Sequence, residues 1–416
     1  MAPLKIWFEI PLWKRILVAL VLGVVVGFFW GENAVGIKWI GDLFIRLIRM
    51  VVIPLVFVTL VSGVVSMGDP AKLGSLGVKT LALYMLTTLA AIVIGLTLAT
   101  IIQPGAGVDL SNAVPNAVQE SVSLSERLMS MVPENPIAAL AEGNILAIIF
   151  FALLVGVSLL TIGSKGKPVA DFMDASSEMM LRITHWVMEV APFGVFSLIA
   201  WVAGTQGVDA LLDVVKLAVA AVVGFTAHTV ITHSCIMKFV LRLSPLNFFR
   251  GARDAMLVAF STSSSNATLP VTMSVAEQNL GIKPVVAGTV LPLGATINMD
   301  GTALYVGVVT LFAAQAFGIP LGVGEYLIIA GATTIVSVGT AGVPGASLFL
   351  MAAVMETIGI TPEQVALVVG FILPFDRPLD MMRTVVNITG DLSVSTAVAN
   401  WENEFDREVF DQPLKY

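Results

Sequence analysis

Five residues able to bind charged groups recur at spacings of four, three, four and four positions in the last third of the chain. They are Asp376, Asp380, Arg383, Asn387 and Asp391. At about 100° per residue in an α-helix, these spacings place all five side chains on one stripe. Because the residues around them are mostly apolar, we predict that the stripe faces the inside of a helical bundle, where ionisable groups are costly and usually functional. A solvated helix with salt-bridge spacing is the alternative.

Two members of the stripe have the chemistry to bind a zwitterion. The planar guanidinium of Arg383 suits bidentate recognition of a carboxylate, and Asp380, one turn away, can bind an ammonium group. The segment Ser263-Ser-Ser-Asn266 adds hydroxyl and backbone N–H groups that favour an anion at a helix N-terminus, unless it is a flexible surface linker. Together these groups indicate an amino acid with an acidic side chain.

A second polar segment, Asn298-Met-Asp-Gly-Thr302, interrupts an apolar run. A regular helix would point Asp300 about 200° away from its polar neighbours, so we predict an unwound helix here. Unwinding frees backbone carbonyls, and carbonyl and carboxylate oxygens are the ligands of a hard monovalent cation. Asp300 together with Asp391 therefore predicts a cation site; a structural ion pair is the alternative for Asp300.

The composition places these groups in a membrane. The chain has 416 residues, 57% of them hydrophobic and 12% charged, whereas soluble proteins have roughly 25% charged residues. Uncharged runs long enough to span a bilayer recur along the chain. We predict an all-α polytopic membrane protein embedded in the lipid bilayer, with no large soluble domain. The net charge of −7 comes without a Lys/Arg cluster, so no nucleic-acid partner is expected.

The residues that usually form metalloenzyme centres are scarce. The chain has one cysteine and three histidines, which excludes an intrachain disulfide and leaves little for a zinc site. We interpret His228, His233 and Cys235 as packing residues. No enzyme activity is predicted, because the only loose candidate for a two-carboxylate dyad is Asp376 with Asp380.

The distribution of lysine and arginine predicts the orientation of the spans. Six spans precede residue 245, and an N-terminus inside the cell places the basic loops on the cytoplasmic side. Beyond residue 247, polar, Gly and Pro clusters interrupt the apolar segments. Such backbone is tolerated at membrane depth only inside protein or beside a wet cavity. We therefore predict two re-entrant hairpins, 247–281 and 322–358, each followed by a helix with polar residues, as a duplicated unit.

Four motifs, in this order, resemble the dicarboxylate/amino acid:cation symporter family, which contains the glutamate and aspartate transporters. The motifs are Thr268-Leu-Pro270, Asn298-Met-Asp-Gly-Thr302, Gly339-Thr-Ala-Gly-Val-Pro-Gly345 and Asp380-Met-Met-Arg-Thr-Val-Val-Asn-Ile-Thr-Gly-Asp391. The resemblance implies eight transmembrane helices and two re-entrant hairpins in inverted repeats. It also implies a homotrimer in the cell membrane with both termini in the cytoplasm. Residues 1–245 would be mainly scaffold, with the third span joining a transport domain formed by residues 246–416.

The resemblance also implies a role for individual residues. Arg383 would bind the substrate side-chain carboxylate, Asp380 the α-amino group, and Asn387 the α-carboxylate with help from hairpin serines. The implied substrate site comprises Ser263, Ser264, Ser265, Thr302, Val343, Pro344, Gly345, Ala346, Ser347, Asp380, Arg383, Thr384 and Asn387, with 343–347 as its lid.

Three sodium sites are implied in the same way. The first uses carbonyls of Gly294, Asn298 and Asn387 with the carboxylate of Asp391. The second uses carbonyls of Thr296, Ser337, Val338 and Thr340. The third uses Tyr84, Thr87, Thr88, Asn298 and Asp300. On its own, the Tyr84, Thr87 and Thr88 trio indicates little, since a threonine in a membrane helix usually bonds to its own backbone.

The expected function is sodium-driven uptake of aspartate or glutamate. Relatives that carry C4-dicarboxylates lack the amino-binding aspartate, which is present here as Asp380. The resemblance further implies one extra arginine in many relatives, at either of two positions that here are Ser263 and Met381, and Arg377 is the candidate to compensate. Val306 replaces a glutamate of proton-coupled animal relatives, so no proton cotransport through that position is expected. A substrate-gated ion channel and a C4-dicarboxylate symporter are the alternatives.

Overall fold

The computed structural model describes residues 12–66, 70–108, 132–205, 209–338 and 346–412, together with residues 10 and 129. Regular structure in these ranges is helical, apart from one isolated bridge between Ile282 and Phe405. The all-α prediction is therefore confirmed for the described part of the chain.

The structure describes eight α-helices in residues 12–227. They are α1 (Leu12–Trp30), α2 (Lys38–Ser66), α3 (Pro70–Ile102), α4 (Pro136–Glu142), α5 (Ile145–Ile162), α6 (Lys167–Glu189), α7 (Ala191–Thr205) and α8 (Asp209–Ala227). Helix α8 continues through two π-helical turns, His228–Thr232 and Ile236–Val240, separated by His233–Cys235. Short 3-10 segments at Gly31–Ile37 and Gly163–Gly166 lead into α2 and α6.

Eight more α-helices lie in the described part of residues 245–411. They are α9 (Pro245–Thr262), α10 (Ser265–Gln278), α11 (Pro284–Ile297), α12 (Asp300–Ala316), α13 (Val323–Val338), α14 (Ala346–Glu356), α15 (Pro362–Trp401) and α16 (Arg407–Asp411). Helix α15 has 40 residues, so it is about 60 Å long at 1.5 Å per residue. Its start is set by a capping box between Thr361 and Gln364, with Pro362 in the first turn.

Length and hydropathy agree with the membrane prediction. Among the described residues, five helical segments are long and apolar enough to cross a bilayer: Lys14–Phe44, Leu76–Ile102, Ala147–Glu189, Val215–Val240 and Pro284–Ala316. Shorter apolar helices occupy Ile53–Val65, Ala191–Thr205 and Val323–Ser337.

The predicted interruptions of the helices are present. Helix α11 ends at Ile297 and α12 begins at Asp300, which confirms the unwound segment. Helices α9 and α10 are separated by Ser263, whose φ of +53° is left-handed and unusual for a residue with a Cβ atom. Helices α13 and α14 lie within the second predicted hairpin, and residues 339–345 between them fall outside the described residues.

The helices pack in two groups. In the first, α1 lies against α7, and α2 lies against α5, α6 and α7. The α1–α7 approach is close because a Cβ atom at Gly23 or Gly27 would collide with the backbone of α7. In the second group, α9, α11 and α12 pack on α15, while α3 and α8 pack on α12. Segment Pro284–Ala316 contains the unwound residues. Its most apolar 18-residue stretch is completely buried by the surrounding helices.

Candidate functional site

The polar stripe of α15 lies inside the protein. Its five residues, Asp376, Asp380, Arg383, Asn387 and Asp391, are each less than 5% exposed. The alternative of a solvated helix with salt-bridge spacing is therefore wrong. Burying ionised groups costs several kcal/mol each unless they are paired and hydrogen-bonded, so the partners of each residue define what the stripe can do.

At one end of the stripe, two carboxylates hold one guanidinium. The Nη1 atom of Arg383 lies 3.0 Å from Oδ1 of Asp376, and its Nη2 atom lies 2.6 Å from Oδ1 of Asp380. Its Nε atom donates to the same Asp380 oxygen at 2.9 Å. The ring of Tyr305 from α12 lies beneath the guanidinium, with its centroid 4.8 Å from Cζ. These contacts hold Arg383 in a single orientation.

A second arginine reaches the same cluster. Arg377 donates from Nη1 to Oδ2 of Asp380 at 3.2 Å, which leaves two cations and two carboxylates in one buried group. Arg377, the candidate to compensate for the missing arginine, therefore contacts the same carboxylate as Arg383. A cleft on this side is lined by Asp376, Arg377 and Asp380, and by residues of the first helix group: Ile16, Met188, Ala191 and Val195. The ionic cluster therefore lies at the boundary between the two helix groups.

The other end of the stripe meets the unwound segment between α11 and α12. Asn298 donates from Nδ2 to Oδ1 of Asp391 at 3.0 Å. Asn387 accepts from the backbone N–H of Gly301 at 2.8 Å, and its Nδ2 atom lies 3.2 Å from the sulfur of Met299. Thus the side-chain amide of Asn387 joins α15 to the start of α12.

Helix α3 completes this region with hydroxyl groups. Thr88 donates to Oδ1 of Asp300 at 2.7 Å, and Thr87 lies 3.4 Å from the same oxygen and 3.2 Å from Oδ1 of Asn298. Tyr84 donates to the carbonyl of Val290 at 2.9 Å. The structure therefore brings two of the third-span trio, Thr87 and Thr88, to Asp300, a contact that spacing in the sequence does not reveal.

Glycine makes this close approach possible. A Cβ atom at Gly294 would lie 2.5 Å from both Oδ1 of Asp391 and the hydroxyl of Tyr84. The carbonyl of Gly294 accepts from the N–H of Asn298 at 2.9 Å. These contacts place backbone and side-chain oxygens from α3, α11 and α15 around a common region.

The two carboxylates of this region, Asp300 and Asp391, are at most 1% exposed. Within the described ranges, neither has a lysine or arginine partner. Asp300 faces Nε2 of His228 at 3.3 Å, and Asp391 accepts a hydrogen bond from the side-chain amide of Asn298. A buried carboxylate without a cation is costly, and oxygen ligands of this kind suit a hard cation.

The predicted hairpin serines have different surroundings. The hydroxyl of Ser263 is buried and has no hydrogen-bond partner among the described residues, and the same holds for Ser347. Ser264 caps α10, since its Oγ atom accepts from the N–H of Ala267 at 3.1 Å. Ser265 is buried at the start of α10. Two unpartnered buried hydroxyls are groups that a ligand can satisfy.

The remaining predicted site residues are less informative. Thr302 is buried, Thr384 donates to the carbonyl of Asp380 within its own helix, and Thr296 and Ser337 donate to carbonyls of theirs. Val338 ends α13 and Ala346 begins α14. Thr340, Val343, Pro344 and Gly345 lie outside the described residues.

The interpretation of α8 needs two corrections. His228 and His233 are fully buried, as packing residues are, but His228 also contacts Asp300. Cys235 is exposed, so its interpretation as a packing residue is wrong. This segment also departs from a regular α-helix, with π-helical turns at His228–Thr232 and Ile236–Val240. No signal in the sequence revealed this path.

Buried helix interruptions, a paired arginine and an oxygen cluster define a membrane transport protein. The sequence pattern of the Sodium:dicarboxylate symporter family matches residues 12–401, and the chain belongs to this family. It is an integral membrane symporter for a dicarboxylate or glutamate-type substrate, in a family of transporters rather than enzymes.

Characterised relatives cover almost the whole chain. A "Proton/sodium-glutamate symport protein" of Geobacillus stearothermophilus is 36% identical over 415 residues, 96% of each chain. A "Proton/glutamate-aspartate symporter" of Escherichia coli (strain K12) is 34% identical over 95% of this chain and 93% of its own. A "C4-dicarboxylate transport protein" of Bacillus subtilis (strain 168) is 33% identical over 94% of each. The relatives thus differ in substrate and in coupling ion.

Proposed function

We propose that this protein couples sodium entry to the uptake of an acidic amino acid, aspartate or glutamate. The observation that carries the proposal is the buried pair of Arg383 and Asp380. Farther along the same helix lies the oxygen cluster around Asp391 and Asp300, which has no lysine or arginine partner in the described part of the chain. The first group recognises both charges of a zwitterion. The oxygen cluster binds the sodium ion that drives uptake.

Substrate binding is an exchange of ion pairs. In the structure, Asp380 and Arg383 neutralise each other. An acidic amino acid brings a side-chain carboxylate for Arg383 and an ammonium for Asp380, so both buried charges keep a partner when their mutual contact opens. Breaking a buried pair without replacement costs about 3–5 kcal/mol, so a ligand that lacks one of the two groups should bind more weakly than one that has both.

A C4-dicarboxylate is the second candidate, since a relative with that name is 33% identical. Such a substrate has no ammonium, and its binding would leave Asp380 with Arg377 as its remaining basic partner. The geometry therefore favours the amino acid. Only the amino acid has an ammonium group that Asp380 can bind. Substitution of Asp380 should therefore distinguish the two substrate classes.

Sodium is the proposed driving ion because its ligands are oxygens. Asp391, Asp300, Asn298 and the hydroxyls of α3 supply carboxylate, amide and hydroxyl oxygens in a buried region. Protons are the alternative, since protonation would also neutralise the two carboxylates, and some relatives carry "proton" in their names.

Coupling follows from which charges are neutralised. Two states of the carrier are compared. With sodium alone, Arg383 is still held by Asp376 and Asp380. With substrate also bound, the net charge and the contacts of Arg383 are different. If only the fully loaded and empty forms cross the membrane, sodium and substrate move together, and each raises the apparent affinity for the other.

The moving unit is proposed to be residues 246–416 together with α3. The packing of α3 on α12 favours including α3, and the cleft beside Arg377 would then lie at the moving boundary. Residues 1–245 would otherwise form a scaffold that assembles as a homotrimer in the cell membrane, with both termini in the cytoplasm. Native mass spectrometry in detergent should give a trimer, and a monomer would contradict the assembly.

The decisive experiment is uptake into proteoliposomes. With an inward sodium gradient, labelled aspartate or glutamate should accumulate, and unlabelled succinate should compete poorly. Accumulation of succinate in preference to aspartate would instead show that the protein is a C4-dicarboxylate symporter.

Parallel vesicles separate the coupling ions. An inward proton gradient without sodium should support little uptake, and uptake driven by it alone would overturn sodium coupling. Currents without any substrate accumulation would instead indicate the channel alternative.

A further inference from the structure

Two histidines and an aspartate form a buried group that the transport proposal does not use as a unit. His228, His233 and Asp300 are completely buried, and one ligand atom from each lies within 4.8 Å of the other two. His228 and His233 belong to the extension of α8, whereas Asp300 begins α12. The group therefore joins two helices.

The π-helical turn brings the histidines together. Residues five apart in a regular α-helix lie about 140° apart around its axis. The turn at His228–Thr232 is π-helical, and its wider i→i+5 closure places residues five apart on the same face. As a result, the centroids of the two imidazole rings are 5.1 Å apart, with the rings at 79° to each other.

His233 has unmet bonding capacity. Neither of its ring nitrogens has a hydrogen-bond partner in the described part of the chain. Leaving a buried polar group unsatisfied costs about 1–3 kcal/mol, and such a group in a folded protein calls for an explanation. A ligand between the two rings would supply the missing partner.

The surroundings orient the other two residues. Thr232 lies 3.1 Å from Nδ1 of His228, which leaves Nε2 directed at Oδ2 of Asp300, 3.3 Å away. Thr88 holds the other oxygen of Asp300. Hydrogen bonds on the far side of each ligand are typical of metal sites, because they fix the ring orientation and the tautomer.

We propose that His228, His233 and Asp300 bind a divalent transition-metal ion such as Zn²⁺ or Co²⁺. Imidazole nitrogen with one carboxylate oxygen is a donor set for these ions and not for sodium, which takes oxygen ligands. Metal–ligand distances of about 2.0–2.2 Å require the three donor atoms to close in slightly from their present separation. Asp300 would then serve both this ion and the proposed sodium site, so the metal inhibits transport by competing with sodium.

Binding of Co²⁺ to the full-length protein, purified without a histidine tag, tests the site directly. We expect a visible absorption band that Zn²⁺ displaces. His233→Phe keeps an aromatic ring but removes the ligand, and should weaken Co²⁺ binding by about 100-fold or more, since loss of even a supporting contact costs 10–100-fold. His185→Phe is the matched control, because His185 is exposed on α6. Equal Co²⁺ affinities for the two variants would overturn the proposal.

A second measurement does not depend on the folding of the His233 variant. The chain has three histidines, so the His185→Phe protein retains only the proposed pair. X-ray absorption of its Zn²⁺-loaded form should give two imidazole ligands, and fewer than two would overturn the site. This result is independent of transport, and failure of aspartate uptake would leave it unaffected.

Sodium dependence tests the shared aspartate. Co²⁺ affinity should fall as sodium is raised with ionic strength held constant by choline, and Zn²⁺ should inhibit uptake less at high sodium. An unchanged Co²⁺ affinity would overturn the sharing of Asp300.

Discussion

The two ends of the α15 stripe are equally buried but neutralise their charges differently. At one end, Asp376 and Asp380 share Arg383, with Arg377 alongside. At the other, Asp391 and nearby Asp300 contact only amide, hydroxyl and imidazole groups within the described ranges. The first end carries its own cations, so a ligand must exchange partners with them. The second end has no lysine or arginine partner in the described part of the chain, which is why we propose that it binds a cation from solution.

This difference explains how one helix can serve two kinds of ligand. An ion pair selects a ligand that replaces both partners, whereas an uncompensated carboxylate attracts any small cation that fits its oxygens. Selectivity for the substrate should therefore depend on the Arg383 end, and dependence on sodium on the Asp391 end. Substitutions at the two ends should therefore have different effects on substrate preference and on sodium dependence, and equal effects would show that the two roles are not separate.

The largest effect is expected from Arg383→Cys. The change removes the donor for the substrate carboxylate and leaves Asp376 and Asp380 buried with fewer partners, at a cost of about 3–5 kcal/mol. Uptake of aspartate and glutamate into proteoliposomes should fall by more than about 100-fold. Arg407→Cys is the control, because that side chain is 66% exposed. Unchanged uptake by a monodisperse Arg383 variant would refute its role.

Asp391→Asn should mainly change the response to sodium. The amide keeps the shape of the side chain but removes the charge, and a hydrogen bond or ligand to a charged group contributes about 1.5–3 kcal/mol. The sodium concentration for half-maximal uptake should rise by about 10- to 100-fold. Asp411→Asn, at an exposed position, should leave it unchanged. A normal sodium response in the Asp391 variant would remove the distinction between the two ends.

Asp380→Asn sharpens the substrate assignment. If Asp380 binds the ammonium, the apparent affinity for aspartate should fall by about tenfold, the effect of one charged contact, while competition by succinate is kept or strengthened. Asp376→Asn is the matched comparison, because it also removes a carboxylate from Arg383. Equal losses for aspartate and succinate in the Asp380 variant would argue against an ammonium contact.

Thr88→Val and Thr87→Val compare two hydroxyls on one helix. Thr88 lies 2.7 Å from Oδ1 of Asp300, and Thr87 lies 3.4 Å from it. A net hydrogen bond contributes about 1 kcal/mol, so Thr88→Val should raise the sodium requirement about fivefold and Thr87→Val less. Titration of uptake against sodium measures both, and the reverse order would contradict this geometry.

The smallest effect on transport is expected from the first helix group. Arg15 of α1 makes a bidentate pair with Glu189 of α6, at 2.7 and 3.2 Å. Arg15→Met should lower the midpoint of thermal unfolding while leaving the sodium and aspartate dependence of uptake unchanged. A change in substrate preference would show that this group also shapes the site.

Much of the fold was predictable because composition and periodicity are local properties. A low charge content and long apolar runs predicted a helical membrane protein, and Asn298-Met-Asp predicted the break between α11 and α12. The spacing of the α15 residues predicted a common face. Each of these predictions depends only on residues that are close together in the sequence, so a single sequence contains all the information that it needs.

The contacts between helices were not predictable from spacing. The approach of Thr88 to Asp300 joins residues 212 positions apart, and the two π-helical turns of α8 give no recognisable sequence pattern. The contact of His228 with Asp300 likewise joins residues of two different helices, 72 positions apart.

The sequence by itself determined the class of protein, the stripe on α15 and the chemistry of its members. Only the tertiary structure decided which charges neutralise one another, because that depends on helices brought together by packing. It paired Arg383 with Asp376 and Asp380, and it left Asp391 and Asp300 among oxygens and an imidazole. In a medium of low dielectric constant, the energy of a charge is set by its nearest partners, and those partners come from distant parts of the chain.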